Sequence, residues 1–301
     1  MAVILRKIFF TVLCMIFFLT MLPAAALADI GPKPSVVLDF AGLENERYYV
    51  TLLSEKASTG PYSAIDAYPD RQRVHPDTEN YEIWEKFASY DDEDGYYFLQ
   101  YFTDCSETSR FEWGYYPPAR FKILMYFPDY DEFAAGEEIY ERYAFDSYYF
   151  VDGQDLDFQK NTTARRIKAE KNYDYSWELI SLAARIAATV TTEVFIACLF
   201  GFRLKKQLVI IAGVNIATQS ILNILLNVIN YHQGSMMFVL HYIWMEVLVV
   251  LLEAGAYAFL LPGYGRGKMD KKWFILLYAL VANGVSFALG LYLAYRIPGI
   301  F

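Results

Sequence analysis

Four long apolar runs dominate the last third of the chain: Trp177–Phe202, Leu208–Ile229, Met236–Pro262 and Trp273–Tyr295, each 22 to 27 residues long. A helix rises about 1.5 Å per residue, so about 20 apolar residues cross a hydrocarbon core of roughly 30 Å. The pattern predicts a four-helix transmembrane bundle over 177–296. The middle of the chain alternates instead. Phe121, Ile123, Met125 and Phe127 take turns with Lys122, Leu124 and Tyr126, the period-2 signature of a half-buried strand. Short aromatic and β-branched runs recur at Ser35–Phe40, Arg47–Ser54, Gly95–Phe102, Phe111–Tyr116, Ile139–Phe145 and Ser147–Asp152, with turn residues such as Asp94-Gly95 and Tyr116-Pro117-Pro118 between them. About seven such strands predict an antiparallel β-sandwich over 29–160. One helix interrupts it: Asp77 is placed to cap Thr78–Tyr90, which puts Tyr81, Trp84, Phe87 and Ala88 on one face. Thr59–Pro76 has no period and reads as a surface loop. The expected fold class is α+β in two parts, an extracytoplasmic sandwich followed by the membrane bundle.

The first residues set the compartment. Met1–Ala28 carries Arg6 and Lys7, an apolar stretch from Ile8 to Leu22, and Ala26-Leu27-Ala28 before Asp29. That is the basic, apolar and small-residue order of a signal peptide. An uncleaved signal anchor is the alternative, and both leave the following domain outside the cytoplasm. Loop charge agrees. Residues 203–207 carry Arg203, Lys205 and Lys206, and 263–272 carry Arg266, Lys268, Lys271 and Lys272, whereas Asn230–Ser235 has no Lys or Arg. By the positive-inside rule the two basic loops are cytoplasmic in a plasma membrane.

Charge then narrows the partners. The chain has a formal net charge of −9, but Asp29 to Tyr175 holds 30 acidic and 15 basic residues, a net of −15. Phosphate backbones need a basic surface, so nucleic acid is excluded as a partner. An acidic exported face suits a cation, a wall polymer or an envelope protein. Past the signal, only Cys105 and Cys198 remain, one in each part, so no internal disulfide is expected.

Candidate chemistry in the exported part is sparse. Asp91-Asp92-Glu93-Asp94-Gly95 resembles a calcium loop, but an EF-hand needs an acid at Tyr90 and a bidentate Glu at Tyr101. Asp92 and Asp94, and the looser group Asp152, Asp155 and Asp157, are the carboxylates a metal would find; the alternative is acidic turns. Trp113, Tyr115 and Tyr116 form either a stacking platform for sugars or cross-strand packing. Arg165, Arg166, Lys168 and Lys171 lie in 161–176, expected as a basic juxtamembrane stalk that is either solvated or set against anionic headgroups or wall polymers. No nucleophile–base pattern and no zinc spacing occurs, and no cofactor follows from the sequence.

The polar residues inside the spans are the sharper signal. Counted at about 1.5 Å per residue from the cytoplasmic ends, Glu193 and Glu253 lie roughly 13 Å deep, Asn215 about 11 Å and Asn283 about 15 Å. Arg185, Glu246 and Asn223 lie at roughly 24 Å. Tyr242, Glu246, Glu253 and Tyr257 share one helical stripe, and Asn215, Gln219, Asn223 and Asn227 another. Lipid-facing charges cost several kcal/mol each, so these stripes are expected to face one another. A faint repeat adds to this. Glu193 precedes Gly201-Phe202-Arg203 and Asn215-Ile216-Ala217-Thr218, while Glu253 precedes Gly263-Tyr264-Gly265-Arg266 and Asn283-Gly284-Val285-Ser286. A parallel repeat about an axis along the membrane normal would bring Glu193 toward Glu253 and Arg185 toward Glu246. Two carboxyls at one depth then share a proton, bind a cation or glue helices together.

Thr192-Glu193, Asn215-x2-Thr218-x4-Asn223 and Glu246-x6-Glu253-x3-Tyr257 resemble a region of bacterial membrane proteins. Ile30-Gly31-Pro32-Lys33-Pro34-Ser35 and Phe111-x-Trp113-Gly114-Tyr115-Tyr116-Pro117-Pro118 are similar to exported domains in Gram-positive anaerobes. The resemblance covers most of the mature chain and implies a cell-envelope location and no activity. Two functions remain open. One is a non-enzymatic envelope protein whose sandwich binds a ligand or partner. The other is a small proton- or cation-coupled transporter or intramembrane enzyme using Glu193 and Glu253.

Overall fold

The computed structural model describes residues 31–136, 138–154, 156, 165–264 and 267–297. The expected signal peptide lies outside the described residues, as do Asp155 and Asp157. The chain divides into a β-rich unit, Lys33–Tyr175 with Tyr231–Gly234, and a helical unit.

The β-rich unit contains β1 (Ser35–Ala41), β2 (Tyr49–Ser54), α1 (Tyr81–Ala88), β3 (Tyr97–Phe98), β4 (Thr103–Asp104), β5 (Arg110–Trp113), β6 (Arg120–Phe127), β7 (Glu132–Gly136), β8 (Tyr140–Glu141), β9 (Asp146–Asp152), β10 (Arg165–Ile167) and β11 (Ala169–Lys171). One sheet runs β11-β9-β1-β5. The other runs β10-β7-β6-β2-β3, with β4 on β2 and β8 on β6.

The sheets are mixed rather than purely antiparallel as expected. β1 pairs β9 in parallel from Ser35↔Asp146 to Ala41↔Asp152, and β10 pairs β7 in parallel. The cause is connectivity. Ser35 and Asp146 are 111 residues apart, and the chain between them builds most of the other sheet. A long crossover permits the parallel pairing that a hairpin cannot make.

β6 also departs from the half-buried expectation, because both its faces are covered. Phe121, Ile123, Met125 and Phe127 enter a core with Val36 and Leu38 of β1 and Phe111 and Trp113 of β5. Leu124 and Tyr126 enter a second core with Trp84 and Phe87 of α1. The amphipathic face of α1 is therefore what hides the far side of the sheet. Phe87 is fully buried and stacks on Phe98 at 5.4 Å, with Phe102 and Phe133 at 5.5 and 5.8 Å. Phe87→Leu should cost about 1–2 kcal/mol, measured as a shift in denaturant midpoint. The helix is shorter than predicted. Asp77 is not its cap; Asn80 holds that position without a side-chain bond, and Thr78 Oγ1 donates to His75 O at 2.6 Å.

Two further expectations change. Trp113 is fully buried against Tyr101 and Tyr62, at 4.5 and 5.0 Å, so it belongs to no surface platform. The stretch expected as a stalk contributes β10 and β11. Ile167 and Ala169 are 4% and 5% exposed and alternate with exposed Arg166, Lys168 and Glu170, a short period-2 signal hidden among charges.

Burial pushes the phenols of Tyr126, Tyr143 and Tyr149 up, that of Tyr143 to about 12. A phenol raised in the folded state contributes stability that is intact below its unfolded value, near 10, and lost as pH climbs toward the folded value. The β-rich unit should therefore hold its circular dichroism signal up to about pH 10 and lose thermal stability steadily above it.

The helical unit contains α2 (Tyr175–Leu199), α3 (Lys205–Gln233), α4 (Ser235–Leu260) and α5 (Lys272–Arg296), all long and apolar enough to cross a membrane. Ala197, Ile211, Tyr257, Ile275, Ala279 and Ala282 meet in one core fed by all four helices. The small alanines let the backbones approach closely. The polarity is inverted relative to a water-soluble bundle. Trp244, Leu199 and Phe259 point outward at 73%, 69% and 85% exposure, whereas Glu193, Asn215 and Glu253 are at 0%. Such an outer surface calls for lipid as its solvent.

Candidate functional site

The helical unit buries two carboxyl groups, and each is met by a neighbouring hairpin. Glu253 of α4 accepts from Thr218 Oγ1 of α3 at Oε1 and from Asn283 Nδ2 of α5 at Oε2, the latter at 2.8 Å. Glu193 of α2 accepts at Oε1 from Ser286 Oγ of α5, at 3.2 Å. Thr218 lies three residues after Asn215, and Ser286 three after Asn283, so the two hairpins exchange hydroxyls in the same way. The two carboxyls lie against each other.

The amides are fixed by their own bonds. Asn215 Nδ2 donates to Ile211 O at 3.1 Å and to Tyr257 OH at 2.6 Å. Asn283 Nδ2 donates to Ala279 O at 3.0 Å as well as to Glu253. A flipped amide would press its oxygen against a carbonyl, so the orientation follows from the network. Both amide oxygens are then buried without a hydrogen-bond donor, and so is Glu193 Oε2. Among the described residues, no Lys or Arg forms an ion pair with either carboxyl.

A second polar layer lies one to two turns away, around a cavity of about 30 Å³ lined by Arg185, Gln219, Asn223, Tyr242, Glu246 and Ser286, among others. A water needs roughly 10–15 Å³ of such space, so the cavity has room for two or three. Ser286 belongs to both layers, since the residue lines the cavity and its hydroxyl donates to Glu193. Arg185 and Glu246 face this cavity but do not make the ion pair expected of them. The Arg185 guanidinium instead lies over the Phe238 ring at 5.2 Å.

The eight residues picked from the spans thus fall into two groups: Glu193, Asn215, Glu253 and Asn283 in the inner one, and Arg185, Gln219, Asn223 and Glu246 around the cavity. Ser286 and Thr218 join the inner group as hydroxyl donors, legible only as the ends of the repeated Asn-x-x-Ser/Thr pattern. Tyr278, whose hydroxyl donates to Glu193 O at 3.2 Å, was missed. It shares the four-residue spacing of Tyr278, Ala282 and Ser286, which could have found it.

The acidic residues of the β-rich unit have other work. Asp92 and Asp94 both bind Lys122 Nζ, at 2.9 and 2.6 Å, and Asp92 Oδ2 also accepts the Asp94 and Tyr96 amides. Asp152 accepts the Gln154 amide at the end of β9. Among the described residues no group of three or more His, Cys, Asp or Glu side chains is placed to hold a metal, so a cation in the helical unit would draw on amide and hydroxyl oxygens beside the two carboxylates. Comparison with protein-family models, curated proteins and solved structures finds no match for this chain.

Proposed function

We propose that the chain is an integral membrane protein of the cell envelope that handles a proton or a small cation at Glu193 and Glu253. In this reading the two sheets form an exported sandwich, the segments 203–207 and 263–272 face the cytoplasm, and no enzymatic step is assigned. The observation that carries it is the set of orphaned inner oxygens. Polar groups that merely glue helices together satisfy one another, because an unpaired buried acceptor costs about 1–3 kcal/mol. Here Glu193 Oε2 lacks a donor although a second carboxyl lies beside it, and the side-chain oxygens of Asn215 and Asn283 lack donors as well. The polar cavity lined in part by Ser286, which bonds Glu193, supports this reading as a place for water next to the pair.

The test is flux in liposomes holding the full chain, with a pH-sensitive dye inside and proton or cation gradients imposed. Wild-type protein should give an ion-dependent response that falls at least about 10-fold in Glu193→Gln and in Glu253→Gln. An equal response in both variants removes these residues from function. In that case the helices anchor an exported binding domain.

A further inference from the structure

Glu193, Glu253, Asn215 and Asn283 supply only oxygens, and the three that lack partners are all acceptors on residues at most 1% exposed. A ligand for such a place must accept several lone pairs at once. One proton cannot do this. Shared between the carboxyls it engages Glu193 Oε2 and leaves both amide oxygens orphaned. Charge narrows the choice further. When both carboxyls are ionised, with no cationic side chain beside them, they carry −2; a monovalent ion then leaves −1 in a low-dielectric interior, and a divalent ion cancels the charge. The donor set is hard throughout, carboxylate, carboxamide and hydroxyl oxygens, with no thiolate or imidazole cluster among the described residues.

We propose that Glu193, Glu253, Asn215 and Asn283 form a binding site for one hard divalent cation of the magnesium, calcium or manganese kind. This rests on the reading that the carboxyl pair handles an ion, and it names which ion. Glu253 is the anchor, fixed by Thr218 and Asn283, so that its carboxylate points at the site without needing to reorient. Glu193 Oε2 and the amide oxygens of Asn215 and Asn283 complete the inner ring. Waters from the cavity enter past Ser286 and fill remaining positions, as they do around hard cations. Ser286 is a positioning residue: its one hydroxyl proton lies between Glu193 Oε1 at 3.2 Å and Asn283 O at 3.1 Å, which keeps Oε1 engaged and leaves Oε2 to the site.

The experiment is a manganese titration of the full chain in detergent, followed by electron paramagnetic resonance, at constant ionic strength. One tight site per chain is expected, displaced by calcium or magnesium and not by sodium or potassium. The acidic β-rich unit binds manganese weakly at its surface, so the Glu193→Gln/Glu253→Gln protein gives the background and must lack the tight site. Asn283→Ala should weaken it at least about 10-fold. Should the carboxyl variants fail to elute as folded protein, the wild-type competition alone decides. Absence of a tight manganese site in wild-type protein overturns the assignment, and so does displacement by sodium. If liposome flux still depends on Glu193 and Glu253 in that case, the broader reading survives; if flux also disappears as a function of these residues, both fall.

Discussion

Lys122→Met should lower the stability of the β-rich unit by about 3–5 kcal/mol, a loss seen as a fall in denaturant midpoint with little change in slope. Lys122 lies on the α1-facing side of β6, in the middle of the sheet, where its side chain is only 6% exposed and that of Asp92 only 5%. Burial alone pulls the ammonium down, but its hydrogen bonds to Asp94 and Asp92 outweigh this and hold it above the ordinary lysine value. Removing the lysine leaves Asp92 as a buried charge whose remaining donors, among the described residues, are two backbone amides. Asp94 has its own access to water, so it loses little. The companion prediction is that Lys122→Met/Asp92→Asn recovers most of the loss, because the asparagine keeps an oxygen for those amides and carries no charge. A single-variant cost below about 1 kcal/mol would mean the ion pair is a surface pair in effect.

Glu253→Ala should be the most damaging change in the helical unit, at about 2–5 kcal/mol, chiefly from the cavity left where a 0% exposed side chain is truncated. Thr218 Oγ1 and Asn283 Nδ2 also lose the carboxyl, although each keeps a helix carbonyl, Val214 O and Ala279 O, both at 3.0 Å. Glu253→Gln keeps the shape and one oxygen, so it should lose less than half as much. Unfolding in mixed micelles with rising denaturing detergent reads both. Equal, negligible losses would show that the bundle does not depend on the carboxyl.

The spans were legible because length and apolarity are one-dimensional signals, and the inner polar group was legible because helical periodicity fixes which residues share a face. Depth alone did less. Arg185 and Glu246 sit at one depth yet do not pair, since equal depth leaves the direction around each helix free, and Phe238 takes the guanidinium instead. Hydroxyls were harder still. Thr218 and Ser286 are unremarkable in an apolar helix until a carboxyl from another helix is placed beside them.

In the β-rich unit the strands were readable and their pairing was not. The parallel register of β1 and β9 is decided between segments too far apart for any local pattern to report. The same distance effect concealed the burial of β6, where Leu124 and Tyr126 read as outward positions until α1 covers them. β10 and β11 escaped for a different reason. In Arg165-Arg166-Ile167-Lys168-Ala169-Glu170-Lys171 two apolar residues carry the alternation, and five charged ones obscure it.

Every functional statement returns to the meeting of Glu193 with Glu253, and a double-mutant cycle on their glutamine variants probes that meeting directly. Stability of the single and double variants is measured in the same micelle titration. An interaction energy above about 1 kcal/mol is expected, because carboxyls in contact whose donors Ser286 and Asn283 are themselves bonded cannot be altered independently. Losses that add to within about 0.5 kcal/mol would contradict it, since they would place the two side chains in separate surroundings.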